Sequence, residues 1–262
     1  MVFLGVDIGS SATKLIAIDK DYHVAGRSVV QLGTGTAGVE RAVQQFYESS
    51  GIRRDEIGWI TVTGYGRSQF GEANNQISEI SCHARGMVFL KPSVRTVIDI
   101  GGQDIKVIKV DAKGGIVSFT MNDKCAAGTG RFIDVMSKVL DVPIGELGDY
   151  DAKSDAALTI SNTCTVFAES EVISKLSSGN SIPNIVAGIH QSVARRVAGL
   201  AFRNGIEKEV ALTGGVARNS GMVRALNKEL KYDIVIPEDP QVTGALGAAL
   251  FAYEKFSTGS AP

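Results

Sequence analysis

The pattern of apolar and polar positions divides the chain into strand–turn–strand units and amphipathic helices. FLGVDIGSSATKLIAID (residues 3–19) has two β-rich runs around a small, glycine-containing turn. TVIDIGGQDIKVIKVD (residues 96–111) repeats that design. Placing Asp7 on Asp99 also places Ile8 on Ile100, Gly9 on Gly101, Lys14 on Lys106 and Asp19 on Asp111, each pair 92 positions apart. Five identities at one offset predict two halves of common architecture. EVALTGGVARNSGMVRAL (209–226) reads as a strand, a glycine pair and a helix carrying Met222, Val223 and Leu226. QVTGALGAALFAYEKF (241–256) predicts a helix whose small residues let it pack tightly against a neighbour. Phe132, Ile133, Val135, Met136, Val139 and Leu140 form one helical stripe, and Val166, Phe167, Val172, Ile173 and Leu176 form another.

Each Asp-x-Gly turn brings an acidic residue to a strand end and lets backbone N–H groups approach a phosphate. Carboxylates there suit Mg²⁺, a hard cation that prefers oxygen ligands. A glycine pair between strand and helix suits a nucleotide lying across the turn. The Walker A pattern is absent. Gly33–Gly38 (GTGTAG) fits a dinucleotide-binding pattern, but the repeat already accounts for the phosphate chemistry, so it reads as a structural loop ahead of a helix over 39–50. TGYGR (63–67) reads as a strand-end turn whose arginine is open to phosphate, a partner or neither.

Composition narrows the classes. The 262 residues suit two modest lobes, and 44% apolar with 21% charged residues suits a soluble core-forming chain. A net charge of −1 gives no support to nucleic acid or an acidic membrane as partner. No apolar run reaches the roughly 18 residues of a membrane helix. The first residues, MVFLGVDIG, have no basic flank and read as a strand. The expected location is cytoplasmic. Three cysteines, Cys82, Cys125 and Cys164, argue against a disulfide framework. Cys82 reads as a small buried hydrophobe. Cys125 and Cys164 each precede a predicted helix, where the dipole favours thiolate, the metal-binding form. Two thiolates leave a four-cysteine [4Fe–4S] site half complete, and two copies of the chain on a two-fold axis would complete it. A zinc site of that stoichiometry is chemically open.

The strand, loop and helix motifs resemble the ATPase superfamily of sugar kinases, 70-kDa heat-shock proteins and actin. That resemblance implies an α/β fold of two ribonuclease-H-like lobes with nucleotide in the cleft between them. The lobes would be residues 1–95 and 96–262, with the C-terminal helix open to crossing over onto the first. The first phosphate loop would be Asp7 to Lys14 and the second Asp99 to Lys106, with Gly9, Ser10, Ser11, Ala12, Thr13 and Lys14, then Gly101, Gly102, Gln103 and Asp104, at the phosphates. Thr13 and Lys14 are also readable as plain hairpin residues. Gly214, Gly215, Val216, Asn219 and Gln241 would surround the nucleoside. Asp7 and Asp99 would organise Mg²⁺, and Gln103 would orient the attacking water.

More specifically, VDIGSSATK, TGYGR, SEISCHARG, VIDIGGQD, MNDKCAAGTGRF, SNTCTVFAESEVIS and TGALGAAL together resemble the activators of 2-hydroxyacyl-CoA dehydratases, relatives of the benzoyl-CoA reductase ATPase subunits. SNTC stands where that family is associated with SSTC. The resemblance implies a homodimer with one [4Fe–4S] cluster between subunits, held by Cys125 and Cys164 of each. It implies ATP hydrolysis coupled to one-electron transfer into the dehydratase, with ferredoxin or flavodoxin as donor. Two alternatives stand beside it. One is a small sugar or acyl kinase of the same fold, for which the one candidate base, Glu79, reads as easily as a surface or capping residue. The other is an actin-like regulator whose assembly ATP controls.

Overall fold

A computed structural model describes residues 1–123, 125–161 and 164–259. The first sheet is built from β1 (Val2–Ile8), β2 (Thr13–Ile18), β3 (Val24–Val30), β4 (Ile57–Thr63) and the short β5 (Asn75–Gln76), with α1 (Gly38–Ser50) between β3 and β4. Its order is β3-β2-β1-β4-β5. β1 is antiparallel to β2 and parallel to β4. α2 (Glu79–Leu90) then leads to a second sheet.

That sheet holds β6 (Thr96–Ile100), β7 (Ile105–Val110) and β8 (Ile116–Asn122). After it come α3 (Gly130–Val139), α4 (Leu147–Ala152), α5 (Thr165–Ser177), α6 (Ile182–Asn204), β9 (Val210–Thr213), α7 (Ser220–Leu230) and α8 (Thr243–Ser257). The order is β8-β7-β6-β9, with β6 parallel to β9. In each sheet the Asp-x-Gly strand therefore lies centrally, hairpin partner on one side and a parallel strand on the other. The two repeat copies occupy equivalent places.

The central strands are buried along their whole length, as strands covered on both faces must be. Phe46 and Ala42 of α1 cover one face of the first sheet. The other face is covered by α8: Ala245, Leu246, Ala249 and Leu250 pack on Phe3, Ile16, Ile18 and Trp59. α2 packs the opposite way, with Ala84, Met87 and Val88 against Val97, Ile108 and Ala211 of the second sheet. The lobes thus exchange helices, and α2 and α8 meet between them. A β-carbon on Gly247 would run into the Cys82 carbonyl, and one on Gly86 into that of Thr243. This backbone-to-backbone approach explains the small-residue spacing of TGALGAAL. Helices α3, α5 and α6 share one core with the second sheet, including Phe132, Met136, Val172, Ile185 and Ile189.

Candidate functional site

The repeat becomes geometry in two carboxylate–lysine pairs. In the β1–β2 ladder Asp7 lies opposite Lys14, and in the β6–β7 ladder Asp99 lies opposite Lys106. Lys14 Nζ is 2.9 Å from Asp7 Oδ2, and Lys106 Nζ is 3.1 Å from Asp99 Oδ2. Burial alone would depress Lys14, but Asp7 outweighs it and raises the ammonium. Asp7 is buried, and its Oδ1 is the one buried side-chain polar atom among the described residues without a hydrogen-bond partner. Such an acceptor points to a missing cation or donor.

The second pair sits in a larger cluster. Lys106, 1% exposed, also holds Glu79 Oε1 at 3.0 Å and Asp104 Oδ2 at 2.7 Å. These carboxylates overcome the burial penalty and raise the Lys106 ammonium above its ordinary range. Burial likewise opposes ionisation of Asp99, but His83 and Lys106 outweigh it and hold the carboxyl at about 2. Thr213 donates its hydroxyl to Asp99 Oδ1 at 3.2 Å, which leaves its oxygen to accept from His83 Nδ1, also at 3.2 Å. Glu79, His83 and Asp99 bring ligand-type atoms within 4.8 Å of one another. Burial outweighs Lys106 at Glu79 and lifts that carboxyl above the usual range. Glu79, the candidate base of the kinase alternative, is held by Lys106 at the start of α2.

The β1–β2 and β6–β7 turns meet. A β-carbon on Gly102 would run into Ser11 Oγ, with Ser10 Oγ at 3.1 Å. Gln103 is exposed at the tip of the second loop, while Asp104 is committed to Lys106. In the first loop Gly9 N–H donates to Ala12 O, closing the turn. Ala12 and Thr13 face inward, and the Thr13 hydroxyl donates to Leu32 O at 2.9 Å. The 33–38 segment supports this loop from behind, through Thr34 N–H to Gly9 O. TGYGR does likewise, through Gly66 N–H to Ile8 O, and Arg67 closes its own turn on Gly64 O.

The third loop begins at Gly214, with φ 87° and ψ 175°. A β-carbon there would lie 2.7 Å from Asp99 Oδ1, so glycine is required by conformation and by space. Gly215 is exposed beside it and Val216 is buried. Asn219 caps α7 through its Oδ1, and its Nδ2 contacts His190 Nε2 at 3.1 Å. His190 continues to Asp151 Oδ1 at 3.0 Å, and Asp151 is held by Arg224. Gln241 joins the lobes, bonded to Gln31 of β3's trailing loop and to Arg218. The loops bearing Asp7, Asp99, Gly214 and Gln241 therefore converge on one cleft.

The cysteines differ. Cys82 is fully buried, and burial pushes its thiol up to about 12, which makes it inert. Cys125 and Cys164 are partly exposed. Cys164 is the N-cap of α5. Cys125 stands further from its helix than its sequence neighbours suggest: the cap is Thr129, and a turn closed by Thr129 onto Ala126 O intervenes. Lys124, Asn162 and Thr163, within the two cysteine motifs, lie outside the described residues. Two backbone bonds tie this region to the cleft. Gly130 N–H donates to Gly101 O at 2.9 Å, and Arg131 N–H to Gly102 O at 2.8 Å.

A profile of the BadF/BadG/BcrA/BcrD ATPase family matches residues 4–252. The chain belongs to that family. It is 53% identical over 254 residues to the activator of lactoyl-CoA dehydratase of Anaerotignum propionicum, covering 97% of this chain and 98% of that one. The activator of the 2-hydroxyisocaproyl-CoA dehydratase from Clostridium difficile, solved with bound ADPNP, superposes with a TM-score of 0.96 at 50% identity, over 99% of this chain and 97% of that one. A ROK family glucokinase from Streptomyces griseus, at TM-score 0.60, 11% identity and 97% and 100% coverage, shares the fold alone. This family member thus has the two-lobed fold that the sugar-kinase resemblance implies. No helix among its described residues is long and apolar enough to cross a membrane.

His83 is absent from the site residues that the sequence motifs nominate, and Lys106 enters only as the end of the second phosphate-loop motif. Lys106 carries a signal, as the repeat partner of Lys14. His83 carries another, since its spacing of four from Glu79 puts both on one face of a helix.

Proposed function

We propose that this chain is the ATP-dependent activator of a 2-hydroxyacyl-CoA dehydratase. It would work as a homodimer that passes one electron to the dehydratase. The observation that carries this reading is the pair of partly exposed thiols, Cys125 and Cys164, on the lobe whose phosphate loop is bonded to the start of α3. Likeness to two dehydratase activators supports it.

The donor set fits a [4Fe–4S] cluster. Each copy offers two partly exposed thiols and buries the third, so two copies supply four ligands. When bound, such a cluster supplies a one-electron store. Mg²⁺ fits the open Asp7 Oδ1 and the ionised Asp99, and would screen the charge of the ATP phosphates.

The chain's own residues divide the work. Gly9 to Ser11 and Gly101 to Gln103 would cradle the phosphates. Lys14 holds the Asp7 carboxylate, Asp104 shares the Lys106 ammonium with Asp99, and Thr13 ties the first loop to Leu32 O. Gln103, exposed at the loop tip, would orient the attacking water. Gly214 to Val216 and Gln241 would border the nucleoside, with Asn219 fixing the helix start below it. A shift of Gly101 and Gly102 on phosphate release would pull on Gly130 and Arg131, and through them on the Cys125 loop. Ferredoxin or flavodoxin is the expected donor and the cytoplasm the expected location.

The test is iron and acid-labile sulfide on anaerobically prepared protein. We expect about two irons per chain, as a four-iron cluster shared by two copies requires. Cys125→Ser and Cys164→Ser should each lose it, and Cys82→Ser should keep it. An iron-free protein under strict anaerobiosis would end the redox reading and return the kinase alternative.

A further inference from the structure

α6 buries Val193, Ala194, Val197, Ala198, Leu200 and Ala201 in the second lobe's core. Its other face carries Arg195, Arg196, Gly199 and Arg203. With Met121 and Asn122 of β8 these line a groove of about 380 Å³. β8 is the outermost strand of its sheet, so the groove opens at an edge.

The groove is strongly cationic, and no acidic residue lines it. Arg195 and Arg203 are exposed and have no salt-bridge partner among the described residues. This stands out on a chain whose net charge is −1. A β-carbon on Gly199 would meet nothing within 4 Å, so the floor is open. The groove also adjoins Cys125. Asn122 on its wall donates Nδ2–H to Cys125 O at 3.1 Å, and the Arg196 stem lies 2.7 Å from a β-carbon built on Gly128.

We propose that this groove is the docking surface for the small acidic protein that donates the electron; the proposal rests on the electron-transfer reading above. The donor loses one electron and the activator gains one, with no bond made or broken. A donor seated on Arg195 and Arg203 would lie beside the Cys125 loop. Its acidic surface would be drawn in by long-range attraction, which sets the encounter rate more than the final affinity. Met121 gives the wall an apolar element, as suits a small, transient interface.

The test uses the iron-loaded dimer and a reduced two-cluster ferredoxin as probe, followed by stopped-flow absorbance over a range of ionic strength. Arg195→Glu with Arg203→Glu should slow the second-order rate at least about tenfold at low salt and abolish most of its salt dependence. Gly199→Leu, which fills the floor with its backbone unstrained, should slow it at every salt concentration. Iron content, dimer mass and reduction by titanium(III) citrate should stay as in the parent protein. Unchanged ferredoxin rates in both variants would overturn the proposal. So would a split dimer, which assigns the groove to a second copy, or lost dehydratase activation with intact ferredoxin reduction, which assigns it to the dehydratase. Equal slowing with titanium(III) citrate would place the effect at the redox site and overturn it too. An iron-free parent protein would remove the electron-transfer reading and the docking with it.

Discussion

Replacing Lys106 with methionine keeps the side-chain volume and removes the charge that three carboxylates share. Lys106 is 1% exposed and lies 3.0, 3.1 and 2.7 Å from Glu79, Asp99 and Asp104. Breaking a buried pair by removing one partner costs about 3–5 kcal/mol, because the other charge stays buried without compensation. Glu79 and Asp104 keep 21% and 22% of their side chains in solvent, which screens them, so the lower end applies. A loss of about 3 kcal/mol lowers the Tm of a chain this size by roughly 6–12 °C. The pH dependence separates charge from packing. In the parent, Asp99 is depressed to about 2, so its contribution is full above the ordinary aspartate value and is lost only as pH falls toward 2. In Lys106→Met, burial acts on Asp99 and Glu79 with less opposition and lifts both. The variant then regains stability as falling pH neutralises them, and its deficit narrows from pH 7 to pH 4.5. Urea and thermal unfolding without nucleotide, read by circular dichroism at both pH values, measures this. A deficit under about 1 kcal/mol, or one that is constant or wider at pH 4.5, would mean that the cluster is not held by Lys106.

Gly214→Ala forces a side chain into a glycine-only conformation and against Asp99, and should cost about 2–4 kcal/mol with weakened ATP binding, measured by unfolding and nucleotide titration. Asp7→Asn removes the open carboxylate oxygen; ATP turnover should fall roughly a hundredfold and its Mg²⁺ requirement should rise, which a Mg²⁺ titration of initial rates would show. Asp151 is opposed by burial but held below the usual carboxylate range by His190 and Arg224, so its contribution is present at neutral pH and lost as pH falls through that lowered value. Asp151→Asn should therefore cost about 1–2 kcal/mol at pH 7, and the difference from the parent should fade in acid in the same unfolding assay.

The strand-turn-strand units and the three loops of the cleft were legible because local pattern determines them. Asp7, Lys14 and their repeat partners stand at offsets that a hairpin register turns into contacts. The helix crossing was legible only as a spacing of small residues in TGALGAAL, since nothing local says which sheet α8 will cover. Cys125 lies further from α3 than its motif suggests, because Thr129 is the cap and the AAG turn is not helical. Asn219 was readable as a loop residue, but its bond to His190 joins positions 29 apart, and only the fold brings them together. The same holds for Glu79 and His83, which are neighbours on one helix yet gain their meaning from Asp99 and Lys106 on another element.

The exchange of α2 and α8 also has a consequence for synthesis. The first sheet is translated early, yet Phe3, Ile16, Ile18 and Trp59 wait for Ala245, Leu246, Ala249 and Leu250 to cover them. The lobe made first is thus finished last. A nascent chain paused before Val242 would hold an open apolar sheet face, and that interval is when a chaperone has something to bind.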